Sequence, residues 1–135
     1  MGSKDDFEAF MGLRKEASDA FVGGNPDPLE RISAQASPAT LFGPKGDCVQ
    51  GADRVNAVNA EGARRFRPGG SNRFEIMHRG AGEDLAYWVG IQRSVVNMAG
   101  KETGVPMDLR VTEIFRRDEG VWRLVHRHAD RLASD

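Results

Sequence analysis

The chain has 135 residues, with 19 basic against 20 acidic side chains and 39% hydrophobic residues. That length fits one domain, 1–135, around a single core, and the apolar share is too high for a disordered chain. A formal charge of -1 supplies no long-range field for phosphate backbones or anionic lipid, so neither nucleic acid nor a membrane is an expected partner. The lone Cys48 excludes an intramolecular disulfide and any zinc site built on several thiolates. With no basic-then-apolar leader and no run of about 18 apolar residues, a cytoplasmic protein is expected.

Phe7, Phe10, Met11, Ala17 and Phe21 fall on one helical stripe, which predicts an amphipathic helix over 5–22. Ser3, Asp5 and Asp6 supply capping oxygens and Gly23-Gly24 a stop. Asn25-Pro26-Asp27-Pro28 then turns the chain into a short second helix carrying Leu29 and Ile32, with Asp27 as N-cap and Pro28 at the first helical position. A brief strand over 39–42 runs into the turn Gly43-Pro44-Lys45-Gly46. From Gly51, residues Val55, Val58, Asn59, Gly62 and Phe66 recur at helical spacing until Pro68-Gly69-Gly70, which predicts a third helix. After Gly70 the period becomes two, and four strands are expected at 72–79, 85–97, 107–117 and 121–131. Short Gly/Asp turns close the first and last pairs into antiparallel hairpins. Helices first and strands later is an α+β chain.

The chemistry-bearing residues concentrate on those strands. Regular alternation places Trp122, Leu124, His126, His128 and Asp130 on one face of the last strand and Arg123, Val125, Arg127 and Ala129 on the other. Imidazoles exchange protons near neutral pH and Asp130 could orient one, so His126, His128 and Asp130 form a candidate catalytic acid–base cluster; the alternative is hydrogen bonding within the sheet or at a dimer contact. Arg110 shares its face with Asp108, Thr112 and Ile114. Its guanidinium could grip a substrate carboxylate or enolate, or pair internally with Glu113, Glu75 or Asp130, although regular alternation turns Glu113 the other way. Tyr87 and Trp88, both candidate substrate-binding residues, are adjacent and must face opposite ways, so at most one of them lines a cavity; the alternative is a core tyrosine with a satisfied hydroxyl. Two histidines without a third ligand do not specify a metal, and no metal or cofactor is expected.

The order helix, short helix, strand, helix and four-stranded meander, ending in Gly120-Val121-Trp122-Arg123-Leu124-Val125-His126-Arg127-His128-Ala129-Asp130, resembles the nuclear transport factor 2-like superfamily. It looks most like the SnoaL-like branch, and its ending is similar to the association domain of calcium/calmodulin-dependent kinase II. The resemblance implies a cystatin-like cone, a strongly curved antiparallel sheet closed at one end by three N-terminal helices around one pocket, with homodimerisation through the outer sheet surface. It places Arg110 at a pocket arginine of the kinase domain and favours Tyr87 inward. A second pocket arginine of that domain falls at Val89 here, a departure that weakens inference of the same anionic ligand.

Two functions follow from this reading. One is a small-molecule pocket protein acting as a cofactor-independent isomerase, cyclase or dehydratase on a carboxylate or carbonyl compound, with Arg110 and Tyr87 stabilising negative charge. The other is a non-catalytic ligand-binding or association domain. One scaffold hosts both classes, so fold alone does not choose.

Overall fold

The computed structural model describes the backbone of residues 3–133 and the side chains of 6–133. The elements are α1 (Ser3–Val22), α2 (Asp27–Ile32), β1 (Thr40–Phe42), β2 (Cys48–Gln50), α3 (Ala52–Ala63), β3 (Phe66–Ala81), β4 (Leu85–Met98), β5 (Val105–Asp118) and β6 (Val121–Arg131). The expected capping side chains Ser3 and Asp5 lie outside the described residues. Among those residues, no helix is long and apolar enough to cross a membrane.

The apolar stripe of α1 lies on the sheet. Phe7 packs at 5.4 Å from Phe115 and 5.7 Å from Trp122, and Phe10 at 5.2 Å from Phe115 (ring centroids). These tilted and edge-on aromatic contacts join the helix to β5 and β6, and each fully buried large side chain contributes roughly 1.5–3 kcal/mol. Gly24 ends α1 at φ 100°, where the carbonyl of Phe66 lies 2.7 Å from the position a Cβ would take. Only glycine satisfies both the positive φ and that approach.

Three features of the expected cone are corrected. The sheet is open and six-stranded, in the order β2-β1-β6-β5-β4-β3, so among the described residues β2 and β3 are free edges and no pairing closes it. It is mixed, because β1 runs parallel to β6, with Thr40 opposite His126 and Phe42 opposite His128. Among the described residues two helices precede the first strand, since α3 follows the β1–β2 hairpin. The sequence reading missed β2 because its alternation spans only three residues, one buried Val49 between exposed neighbours. It also carried the third helix too far. Phe66 opens β3, and the chain passes Pro68-Gly69-Gly70 as an irregularity within that strand.

Two bulges decide which side chains share a face. In β6, Ile114 pairs with His126 and Phe115 with Leu124, which leaves Val125 as an extra residue. In β3, Met77 is extra between the pairs Ile76–Gly90 and His78–Val89, and it is 69% exposed. An extra residue reverses the alternation beyond it.

Candidate functional site

The helix-covered, inner face of the sheet carries a buried ion cluster. Arg14 lies on the apolar stripe of α1 and is 2% exposed, and Glu113 on β5 is fully buried. Arg14 donates to the carboxylate from Nε at 2.8 Å and from Nη2 at 2.7 Å. Arg127 donates to it from Nη1 at 2.7 Å, and Trp88 from Nε1 at 2.8 Å. Four donors therefore saturate one carboxylate. The network continues outward: Arg127 Nη2 donates to Gln92 Oε1 at 2.7 Å, and Gln92 Nε2 to Asn72 Oδ1 at 2.9 Å. Burial opposes ionisation of Glu113, but the charges and hydrogen bonds of Arg14 and Arg127 outweigh it and bring its pKa down to about 2. A carboxylate so bound holds other groups in place and does not act as a base. Burial, helped by Arg14 and opposed by Glu113, lowers the proton affinity of Arg127, which stays a cation as guanidinium does in proteins.

Beside this cluster is a cavity of about 260 Å³ between α1, α3, the β1–β2 hairpin and the inner sheet face. Phe21, Leu29, Leu41, Val58, Met107 and Leu109 supply much of its apolar lining; Arg14, Ser18, Asn59, Gln92 and Arg127 bring polar groups to it. Exposed Asp47 and Arg65 contribute one charge of each sign to the lining. Asp47 lies over Gly43, with Oδ1 2.5 Å from where a Cβ would stand; any side chain at 43 displaces that carboxylate. Arg14 Nη1 is buried and has no hydrogen-bond partner among the described residues, although the guanidinium carbon lies 5.4 Å from the centre of the Phe74 ring.

The residues singled out from sequence occupy the opposite, outer face, with one exception. Arg110 is bonded to Asp130 through Nε and Nη2, both at 2.7 Å, with its side chain 64% exposed. Asp130 is thus the internal partner among the three candidates. That pairing holds Asp130 below the usual carboxylate range, chiefly through the Arg110 hydrogen bond, and raises the pKa of Arg110. His128 Nε2 lies 3.6 Å from Asp130 Oδ2. His126 shares a 2.7 Å hydrogen bond between its Nδ1 and the Thr40 hydroxyl, and burial followed by the proximity of His128 lowers its pKa. The Phe42 ring stands edge-on to both imidazoles at 4.9 and 5.5 Å. Arg110, His128 and Asp130 border an open groove with Met77, Val89 and Ile91, not the inner cavity.

Tyr87 and Trp88 are placed the other way round from the expectation carried by the resemblance. Trp88 is fully buried on the inner face, and Tyr87 is 37% exposed outside, its hydroxyl 3.2 Å from His78 Nδ1. The bulge at Val125 separates the faces that regular alternation had joined: Trp122 and Leu124 are buried inside, whereas His126 and His128 stand outside. The same bulge turns Arg127 inward, so the arginine on the cavity is one that simple alternation had set apart from the histidines.

The sequence reading missed Arg14, Glu113 and Arg127 as a unit, though two signals were present. Arg14 interrupts the apolar stripe at a buried helical position, three residues after Met11 and three before Ala17. Glu113 sits between Val111 and Phe115, both apolar and on its own face. A charged residue within an apolar period needs a partner, and here each supplies the other. Among the described residues, no three His, Cys, Asp or Glu side chains are grouped to hold a metal ion.

No family model matches the chain, and no curated protein matches it. Solved structures do. A provisionally assigned dehydratase of the nuclear transport factor 2-like family from Streptomyces avermitilis superposes with a TM-score of 0.76 at 17% identity, covering 97% of this chain and 99% of that one. A provisionally assigned calcium/calmodulin-dependent protein kinase type II association domain from Thiobacillus denitrificans gives 0.70 at 17% identity, covering 90% and 93%. A provisionally assigned ketosteroid isomerase from Parabacteroides distasonis gives 0.65 at 14% identity, covering 91% and 85%. The protein thus has the nuclear transport factor 2-like fold, and the likeness extends to several branches without selecting one.

Proposed function

We propose that this chain is a small-molecule-binding protein, a SnoaL-like pocket whose ligand occupies the inner cavity. The supporting observation is the placement of the buried Arg14–Glu113–Arg127 cluster on an otherwise largely apolar cavity: polar groups in fixed positions against an apolar wall are how small-ligand sites orient their cargo. Substituting Val58, on the α3 side of the cavity, by Trp fills the space. Compounds found by thermal shift or ligand-observed NMR with the wild-type protein are expected to lose binding to Val58→Trp and to keep it with His128→Ala. Retention by Val58→Trp contradicts the assignment.

Two finer readings attach to this one. An isomerase, cyclase or dehydratase using this cavity would draw its base from Asp47, the carboxylate on the lining, which pairs with no arginine among the described residues, rather than from His126, His128 and Asp130 on the other face. The outer face suits a second copy of the chain. Exposed Met77, Tyr87 and Ile114 supply apolar surface, and an Arg110–Asp130 pair on each copy is self-complementary across a two-fold axis. Ile114→Glu is expected to convert a dimer to a monomer in light scattering, and a wild-type monomer at micromolar concentration removes the self-association reading.

A further inference from the structure

The charge count of the inner cluster specifies the ligand. Arg14 and Arg127 are two cations bonded to one anion, Glu113, and the remaining charges on the lining, Asp47 and Arg65, are of opposite sign. The cavity therefore carries one uncompensated positive charge. An excess charge beside a low-dielectric interior is costly unless a counter-charge reaches it. Arg127 supplies the place for one, because it lines the cavity with its side chain 16% exposed, whereas Arg14 is 3% exposed and bonded through Nε and Nη2 to Glu113. The Nη1 and Nη2 of Arg127 bond Glu113 and Gln92, and each carries a second N–H suited to a carboxylate oxygen. The rest of the lining is mostly aliphatic and aromatic, and about 260 Å³ accommodates a medium-length hydrocarbon body.

We infer that the cavity takes a monocarboxylate with an apolar tail, its head on Arg127, and that Glu113 sets the preference for a single negative charge. This inference rests on the proposed function, since it names the ligand class of the same cavity. Neutral isosteres leave the extra cation uncompensated, and dianions bring a second carboxylate into the apolar part of the cavity.

Calorimetric titration with octanoate, octanamide and octanedioate tests it. Octanoate is expected to bind with one site per chain, at least about 10-fold more tightly than either of the others, the usual scale for a hydrogen bond to a charged group. Arg127→Gln removes the extra charge and is expected to erase the preference for octanoate over octanamide. Glu113→Gln doubles the excess charge and is expected to shift the preference toward octanedioate. Should both variants fail to fold, the three titrations of the wild-type protein still decide. Equal affinity for octanoate and octanamide overturns the charge inference and leaves the pocket standing; no binding of any of the three at millimolar concentration overturns both.

Discussion

The two faces of the sheet carry the same interaction in two environments. Arg14–Glu113 inside and Arg110–Asp130 outside are both two-pronged arginine–carboxylate pairs with contacts of 2.7–2.8 Å. The inner pair is almost wholly removed from water, with side chains 3% and 0% exposed, whereas Arg110 is 64% exposed. Geometry is therefore not what separates them. In water the attraction is screened and each partner is well solvated alone, so losing one costs little. In the interior each charge depends on the other, and removing one strands its partner. The inner pair also carries a second arginine that the outer pair lacks, and the resulting surplus charge is the one the proposed ligand would neutralise.

The sharpest way to break this comparison is Glu113→Ala. It leaves two arginines beside an empty acceptor, and a loss of roughly 3–5 kcal/mol of stability is expected in urea unfolding; a loss no larger than that of a surface substitution would mean the cluster is hydrated.

Acid provides the next largest effect. Because Glu113 is held at about 2 against an ordinary 4.5, the native state binds fewer protons than the unfolded chain across that interval. Its contribution is fully present above about pH 4.5 and is lost as pH falls through 2, on the order of 3 kcal/mol in all. Glu113→Gln is expected to flatten the wild-type decline in stability between pH 5 and 2, measured by denaturant unfolding at each pH.

A smaller change comes from Trp88→Phe, which keeps the packing and removes one of the four donors to Glu113. A cost of about 1–2 kcal/mol is expected, together with a loss of the buried-indole signal in near-ultraviolet circular dichroism. The smallest effect belongs outside. Arg110→Ala and Asp130→Asn are expected to unfold at the wild-type urea midpoint in the monomer, because both groups recover hydration when separated.

Much of the fold is legible in the sequence. The stripe of Phe7, Phe10 and Met11 marks α1, and alternation from 72 onward marks the four long strands, because long periodic segments average over local exceptions. What period alone hides is a change of phase. The extra Val125 costs nothing in composition, yet it sends Arg127 inward and leaves His126 and His128 outside with Asp130. The parallel partnership of β1 with β6 is likewise invisible, since it joins residues some 86 positions apart, as at Thr40 and His126. Tyr87 and Trp88 show a different limit: alternation requires them to diverge but does not state which goes inside. Trp88 does, where its indole N–H meets Glu113. The site is legible in one respect, the interruption of apolar periods by Arg14 and Glu113.

Octanoate titrated into two single variants shows directly which face of the sheet holds the ligand. Arg127→Gln on the inner face is expected to lose most of the binding heat, while Arg110→Gln on the outer face is expected to match the wild-type isotherm. Loss of binding in Arg110→Gln with full retention in Arg127→Gln would place the ligand on the outer face and contradict the account.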